Sequence, residues 1–134
     1  MAVDEAPHVF IVDDEATFRN ALGAFFVEES FRATCASNGE DASRRLLASP
    51  PPDLILLDLE MPVMDGAEFY AWLRRQGPDL ASVPVVLLSA SDRLKEMVRA
   101  LRPNDFLKKP VLPDVLLETV RRVLRSSRWR KADP

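Results

Sequence analysis

The sequence predicts an α/β domain: a five-stranded parallel sheet with helices on both faces. Three observations carry that expectation. Short, wholly apolar runs occur at Val9–Val12, Leu54–Leu57 and Val85–Leu88, the composition of strands buried on both faces. Stretches with helical spacing alternate with strand candidates, so that strand and helix repeat five times. Each of the three apolar runs stops at a polar residue: Asp13, Asp58 and Ser89.

The first strand covers His8–Val12. Phe18, Leu22 and Phe25 then recur at i, i+4, i+7, which reads as an amphipathic helix over Glu15–Glu28. Phe31–Ala36 is a weaker strand, with alternation but little bulk. Ser37-Asn38-Gly39 turns the chain into a short helix ending at Leu47, and Ser49-Pro50-Pro51-Pro52 breaks it. Asp53–Asp58 is the next strand. Met61–Gly66 (MPVMDG) is a loop by its Pro and Asp-Gly signals. The following helix, Ala67–Gly77, stops at Gly77-Pro78. Val83–Ser89 is a strand, with Pro84 at its start, where a missing N–H is tolerated. Asp92–Leu101 is a helix with Leu94, Val98 and Leu101 on one face, ending before Pro103. Asp105–Lys109 is a short strand. The last helix opens at Pro113 and buries Leu116, Val120, Val123 and Leu124. Leu112 stands where a capping side chain is common, so this helix is expected to start loosely.

A chain of 134 residues holds one domain and buries enough surface to need no disulfide staple. Its one cysteine, Cys35, excludes an internal disulfide framework and fits a reducing cytosol. The acidic start MAVDEAPH lacks a signal-peptide pattern, and no apolar run reaches the length of a membrane span. The expected class is a soluble cytoplasmic domain. The net charge of −3 is uneven: residues 121–134 carry six cations and Asp133, a net +5, so the other 120 residues sum to −8. The basic end reads as a solvated last helix turn plus a frayed terminus, with a nucleic-acid contact as the competing reading.

In open parallel sheets ligands sit outside the carboxyl ends of the strands. Four such ends would deliver Asp13, Asp14, Asp58, Ser89 and Lys109 to one edge. Three carboxylates repel unless their pKa values rise or a cation neutralises them. Mg²⁺ is the economical cation, taking carboxylate, water and phosphate oxygens at about 2.0–2.1 Å; Mn²⁺ would serve as a substitute. Lys109 suits a phosphoryl oxygen, Ser89 offers a hydroxyl donor, and an aspartate can itself become an aspartyl phosphate. Each residue also has a plain reading. The aspartates could favour a helix N-terminus, Ser89 could cap the next helix, Phe106 could be core, and Lys108 and Lys109 could guard a sheet edge. His8, the only histidine, has no assigned role.

The segments IVDDE (Ile11–Glu15), LILLDLEMPVMDG (Leu54–Gly66), VVLLSA (Val85–Ala90) and DFLKKP (Asp105–Pro110) lie in the order and near the spacing of a known family. Together they resemble response-regulator receiver domains of two-component signalling, the CheY-like superfamily, over residues 7–125. The resemblance implies a (βα)5, flavodoxin-like doubly wound fold with strand order 2-1-3-4-5. It also implies a single receiver domain with residues 126–134 as a basic tail or the start of a linker. It implies roles as well. Asp58 is the phosphoryl acceptor. Asp14 is a direct Mg²⁺ ligand, Asp13 acts more often through water, and the Glu60 backbone carbonyl is a further ligand. Ser89 is the switch hydroxyl, Phe106 the switch aromatic, and Lys109 the phosphate-pairing lysine. Glu60 and Ser91 border the phosphoryl position, and Glu60 is expected to tune phosphate lifetime by crowding or repelling an incoming water. The segment between Ser89 and Phe106 is shorter than usual, and RPND (Arg102–Asp105) replaces the usual Gly-Ala lead, so the fourth main helix is expected to be short or displaced.

The leading functional expectation is a phospho-accepting receiver acting alone. Its donor is the phosphohistidine of a sensor histidine kinase or phosphotransfer protein. Its output is altered binding to another protein, with a phosphorylation-dependent homodimer as one form. The second is the N-terminal receiver of a longer DNA-binding transcriptional regulator. This chain alone shows no helix-turn-helix, so neither specific DNA nor a membrane is an expected partner. A third, a phosphatase with an aspartate nucleophile, fits Glu60 but not the downstream motifs. No Gly-rich phosphate loop supports a nucleotide hydrolase. A receiver that takes no phosphate conflicts with the full set of Asp13, Asp14, Asp58, Ser89 and Lys109.

Overall fold

The computed structural model describes residues 6–61 and 64–132, with side chains through Ser127. Pro62 and Val63 of the expected loop lie outside these residues, as do the side chains of Arg128, Arg130 and Lys131 in the basic end. The elements are β1 (His8–Val12), α1 (Ala16–Glu28), β2 (Arg32–Ala36), α2 (Gly39–Leu47), β3 (Leu54–Asp58), α3 (Gly66–Arg74), α4 (Pro78–Ala81), β4 (Val85–Ser89), α5 (Leu94–Leu101), β5 (Asp105–Lys108) and α6 (Pro113–Ala132). All strand pairs are parallel and their order is β2-β1-β3-β4-β5.

Period-two alternation divides each apolar run between two cores. Phe10 and Val12 of β1, Ile55 and Leu57 of β3, and Val85 and Leu87 of β4 pack with Ala42 and Leu46 of α2, Phe69 and Leu73 of α3, and Leu94 of α5. Val9, Ile11, Leu54, Leu56, Val86 and Leu88 point the other way, against Leu22 and Phe26 of α1 and Leu116, Val120 and Leu124 of α6. A strand covered on both sides has no face that tolerates polarity, which is why β3 and β4 read as unbroken apolar runs. Each large apolar side chain so buried contributes about 1.5–3 kcal/mol relative to exposure.

Three local features differ from the sequence expectation. The chain forms an extra turn of helix, α4, because Pro78 fits a first-turn position and Arg74 reaches back to the carbonyls of Ala81 and Val83. The backbone of the last helix is helical through Ala132, into the basic end. The expected strand at Val83–Ser89 starts at Val85, and Lys109 falls just beyond β5.

RPND does form a stable lead into β5. Arg102 ends α5 in the left-handed conformation (φ 54°). Asn104 then closes the sheet by a two-way exchange with Val85: its N–H donates to Val85 O at 2.9 Å and its Oδ1 accepts from Val85 N at 3.0 Å. Helix α5 has eight residues, no side-chain N-cap bond and one buried residue, Leu94. Among the described residues no helix is long and apolar enough to cross a membrane.

Candidate functional site

The order β2-β1-β3 reverses direction at β1, and the crevice between the carboxyl ends of β1 and β3 is the expected ligand position in such a sheet. Register fixes what arrives there. Val12 pairs with Leu57, so the next residues, Asp13 and Asp58, leave the sheet side by side. Ser89 pairs with Lys108, and the Lys109 N–H donates to the Ser89 carbonyl at 2.9 Å, which delivers Lys109 to the same edge. The Lys109–Pro110 peptide is cis.

Asp13, Asp14 and Asp58 each offer a carboxylate oxygen within 4.8 Å of the others. Asp13 and Asp58 are buried, whereas Asp14 is exposed. Asp13 Oδ1 accepts the Glu15 N–H at 2.9 Å, and Arg19 holds the Asp13 carbonyl at 2.8 Å. These bonds fix the turn from β1 into α1. At the β3 end, Asp65 caps α3 by accepting the Glu68 N–H. Gly66 lets this helix start directly against the end of β3: a Cβ there would lie 2.6 Å from the Asp58 carbonyl oxygen and the Leu59 Cα. Only glycine fits so close a backbone approach.

A sequence reading in which Mg²⁺ is the positive partner of Asp13 and Asp14 is incomplete. Lys109 Nζ already sits 2.9 Å from Asp13 Oδ2 and 3.6 Å from Asp58 Oδ1. It also lies 4.5 Å from the centroid of the Phe18 ring, a cation–π contact. In the sequence Phe18 is legible only as an apolar position of α1. Its role as a platform depends on a contact across 91 positions of sequence, from Phe18 to Lys109.

One ammonium does not compensate the whole cluster. Burial and the neighbouring Asp13 charge push the Asp58 carboxyl up to about 7, against the opposing pull of Lys109. Burial alone would lower Lys109, but its hydrogen bond to Asp13 and the charges of Asp58 and Asp13 outweigh that, and its pKa is raised. A hard divalent cation suits this donor set: all-oxygen, anionic and short of positive charge. The acidic triad is consistent with a metal site of receiver domains.

Ser89 and Phe106 part company. Ser89 is fully buried, and its hydroxyl donates to the Glu60 carboxylate, 2.6 Å from Oε1 and 2.7 Å from Oε2. It accepts the Ser91 N–H at 3.0 Å rather than capping α5. Phe106 is 39% exposed and points away from the core. Glu60 lies beside Asp58, with its N–H 3.4 Å from Asp58 Oδ1. Lys108 faces outward and pairs with Asp92 at 3.6 Å. His8 lies at the opposite edge, bonded to Thr34 Oγ1 at 2.7 Å, away from the acidic crevice.

The description "Response regulator receiver domain" matches residues 9–121. Among curated proteins, the chain is 32% identical to the alkaline phosphatase synthesis transcriptional regulatory protein SphR of Synechococcus elongatus, covering 98% of this chain and 54% of that protein. It is 33% identical to the two-component response regulator ORR5 of Oryza sativa subsp. japonica, covering 90% of each. The chain thus spans about half the length of the first curated relatives it matches. Among solved structures, the signal receiver domain of a signal transduction histidine kinase from Syntrophus aciditrophicus superposes with a TM-score of 0.80 at 36% identity, covering 90% and 92% of the two chains. Vibrio cholerae chemotaxis protein CheY4 also gives 0.80, at 28% identity, covering 88% and 98%.

Proposed function

Because the chain belongs to the response regulator receiver family, whose members are signalling modules rather than enzymes, we propose that it accepts a phosphoryl group on Asp58 in a cation-dependent transfer. Receiver domains partner with histidine kinases. The donor in this reading is the phosphohistidine of a sensor histidine kinase or phosphotransfer protein, in the cytoplasm. The observation that carries the reading is the juxtaposition of buried Asp58 with Asp13, Asp14 and Lys109 in the β1–β3 crevice.

In the proposed step an Asp58 oxygen attacks phosphorus and the P–N bond breaks. The departing imidazole keeps the electron pair and takes a proton. Asp13, Asp14, Asp58 and the Glu60 carbonyl would hold Mg²⁺ or Mn²⁺, which supplies charge neutralisation when bound. Lys109 leaves its Asp13–Asp58 bridge to pair with a phosphoryl oxygen. Ser89 donates its hydroxyl to another, and Phe106 moves inward as the β4–α5 segment shifts. The changed surface then binds an output protein or a second copy of the chain.

A second reading places this chain as the receiver half of a DNA-binding transcriptional regulator. It is favoured by the length of SphR and other transcriptional regulatory relatives, about twice the matched region. The chemistry at Asp58 is common to both readings.

Intact-protein mass after incubation with acetyl phosphate tests the proposal. A single phosphoryl adduct is expected with Mg²⁺, absent with EDTA and absent in Asp58→Asn. No adduct in wild type under any condition would overturn it.

A further inference from the structure

We propose that the Glu60 carboxylate is a built-in competitor for the Ser89 hydroxyl, which a phosphoryl group on Asp58 must displace; this rests on the phospho-accepting reading above.

A serine hydroxyl has one proton to donate. In this structure that proton is committed to Glu60, at 2.6 and 2.7 Å from its two oxygens, and the oxygen's acceptor side is taken by the Ser91 N–H. Ser89 is fully buried, so water does not offer an easy substitute. Its backbone is pinned on the other side by the Lys109 N–H. Among the described residues no buried side-chain nitrogen or oxygen lacks a partner, and for Ser89 Oγ as a donor that partner is Glu60. A hydrogen bond from a hydroxyl to a carboxylate is of the strong, charge-assisted kind.

A phosphoryl group two residues away changes this balance in two ways. It offers acceptor oxygens of higher charge for the same proton. It also repels the Glu60 carboxylate, whose own backbone N–H sits against Asp58 Oδ1. The released side chain has somewhere to go: Glu60 borders an open cavity of about 170 Å³ that is also lined by Asp65, Ser91 and Arg93, the last paired with Glu96 at 3.6 Å on an exposed surface. Glu60 is therefore a positioning residue that keeps Ser89 engaged until Asp58 is modified. Its effect on affinity acts through Ser89, not through charge alone.

Beryllofluoride, a phosphoryl mimic, is titrated with Mg²⁺ into wild type, Glu60→Ala, Glu60→Gln, Ser89→Ala and the Glu60→Ala/Ser89→Ala double variant, followed by backbone amide resonances. Loss of the competing bond should tighten binding roughly tenfold in Glu60→Ala. Glu60→Gln, which keeps an acceptor oxygen without the charge, should fall between it and wild type. In the Ser89→Ala background the gain from Glu60→Ala should shrink to no more than about threefold. An equal gain in both backgrounds would show charge repulsion alone and overturn the competition, as would no gain at all. No complex with any variant, wild type included, would instead remove the phospho-accepting reading, and this inference with it.

Discussion

The β1–β3 crevice and the α5–β5 side stand at the same edge of one sheet but are held differently. In the crevice, β3 is buried along its whole length, Asp13 is fixed by Glu15, Arg19 and Lys109, and α3 starts against the Asp58 backbone at Gly66. On the other side, β5 alternates half-buried with exposed residues, α5 buries only Leu94 and has no side-chain N-cap bond, and Phe106 lies outside the core. Rigid groups suit a reaction that depends on alignment. A segment with few buried contacts costs less to rearrange. In the proposed phospho-accepting reading, the chemistry falls to the stiff half and the response to the loose half.

Cavity-forming substitutions give the largest contrast. Leu56→Ala, at a fully buried position of β3, should cost about 3–4 kcal/mol in urea unfolding, whereas Met97→Ala in half-buried α5 should cost about 1 kcal/mol or less. Equal costs would remove the distinction. Lys109→Met should cost about 2–3 kcal/mol in metal-free buffer, because it leaves Asp13 and Asp58 facing each other without their cation. Added Mg²⁺ should restore much of the loss, as read from the same unfolding curves.

Asp58→Asn should act in the opposite direction. The folded-state pKa of Asp58, about 7, lies above its ordinary value of 3.8, so the folded state holds the proton more tightly than the unfolded chain. The group's contribution is therefore most favourable at low pH and is lost as pH rises from about 4 to about 7. Metal-free wild type should be less stable than Asp58→Asn at pH 8 by on the order of 2 kcal/mol, with the difference vanishing near pH 4. Thermal melts across pH read this directly. Asn104→Ala removes the acceptor of the Val85 N–H at the start of β4 and should cost about 1 kcal/mol in the same assay.

The stiff half was legible in the sequence because its signals are local. Val9–Val12, Leu54–Leu57 and Val85–Leu88 are apolar on both faces, and the aspartates mark where those runs end. Parallel pairing then brings Asp13, Asp58 and Lys109 together without further information. What the sequence does not show depends on side-chain reach or on very short elements. The Ser89–Glu60 bond joins residues 29 positions apart, and the Lys109–Phe18 contact depends on a ring's orientation. Helix α4 has four residues, too few for any periodicity. The helical backbone to Ala132 was hidden because a run of cations reads as a solvated end, although α6 needs only its first turns to pack.

Amide hydrogen exchange with and without beryllofluoride and Mg²⁺ tests the division most directly. Protection in β1 and β3 should stay unchanged, while it changes in the segment from Ser89 through Lys108. Changes spread evenly over the sheet, or confined to β1 and β3, would contradict it.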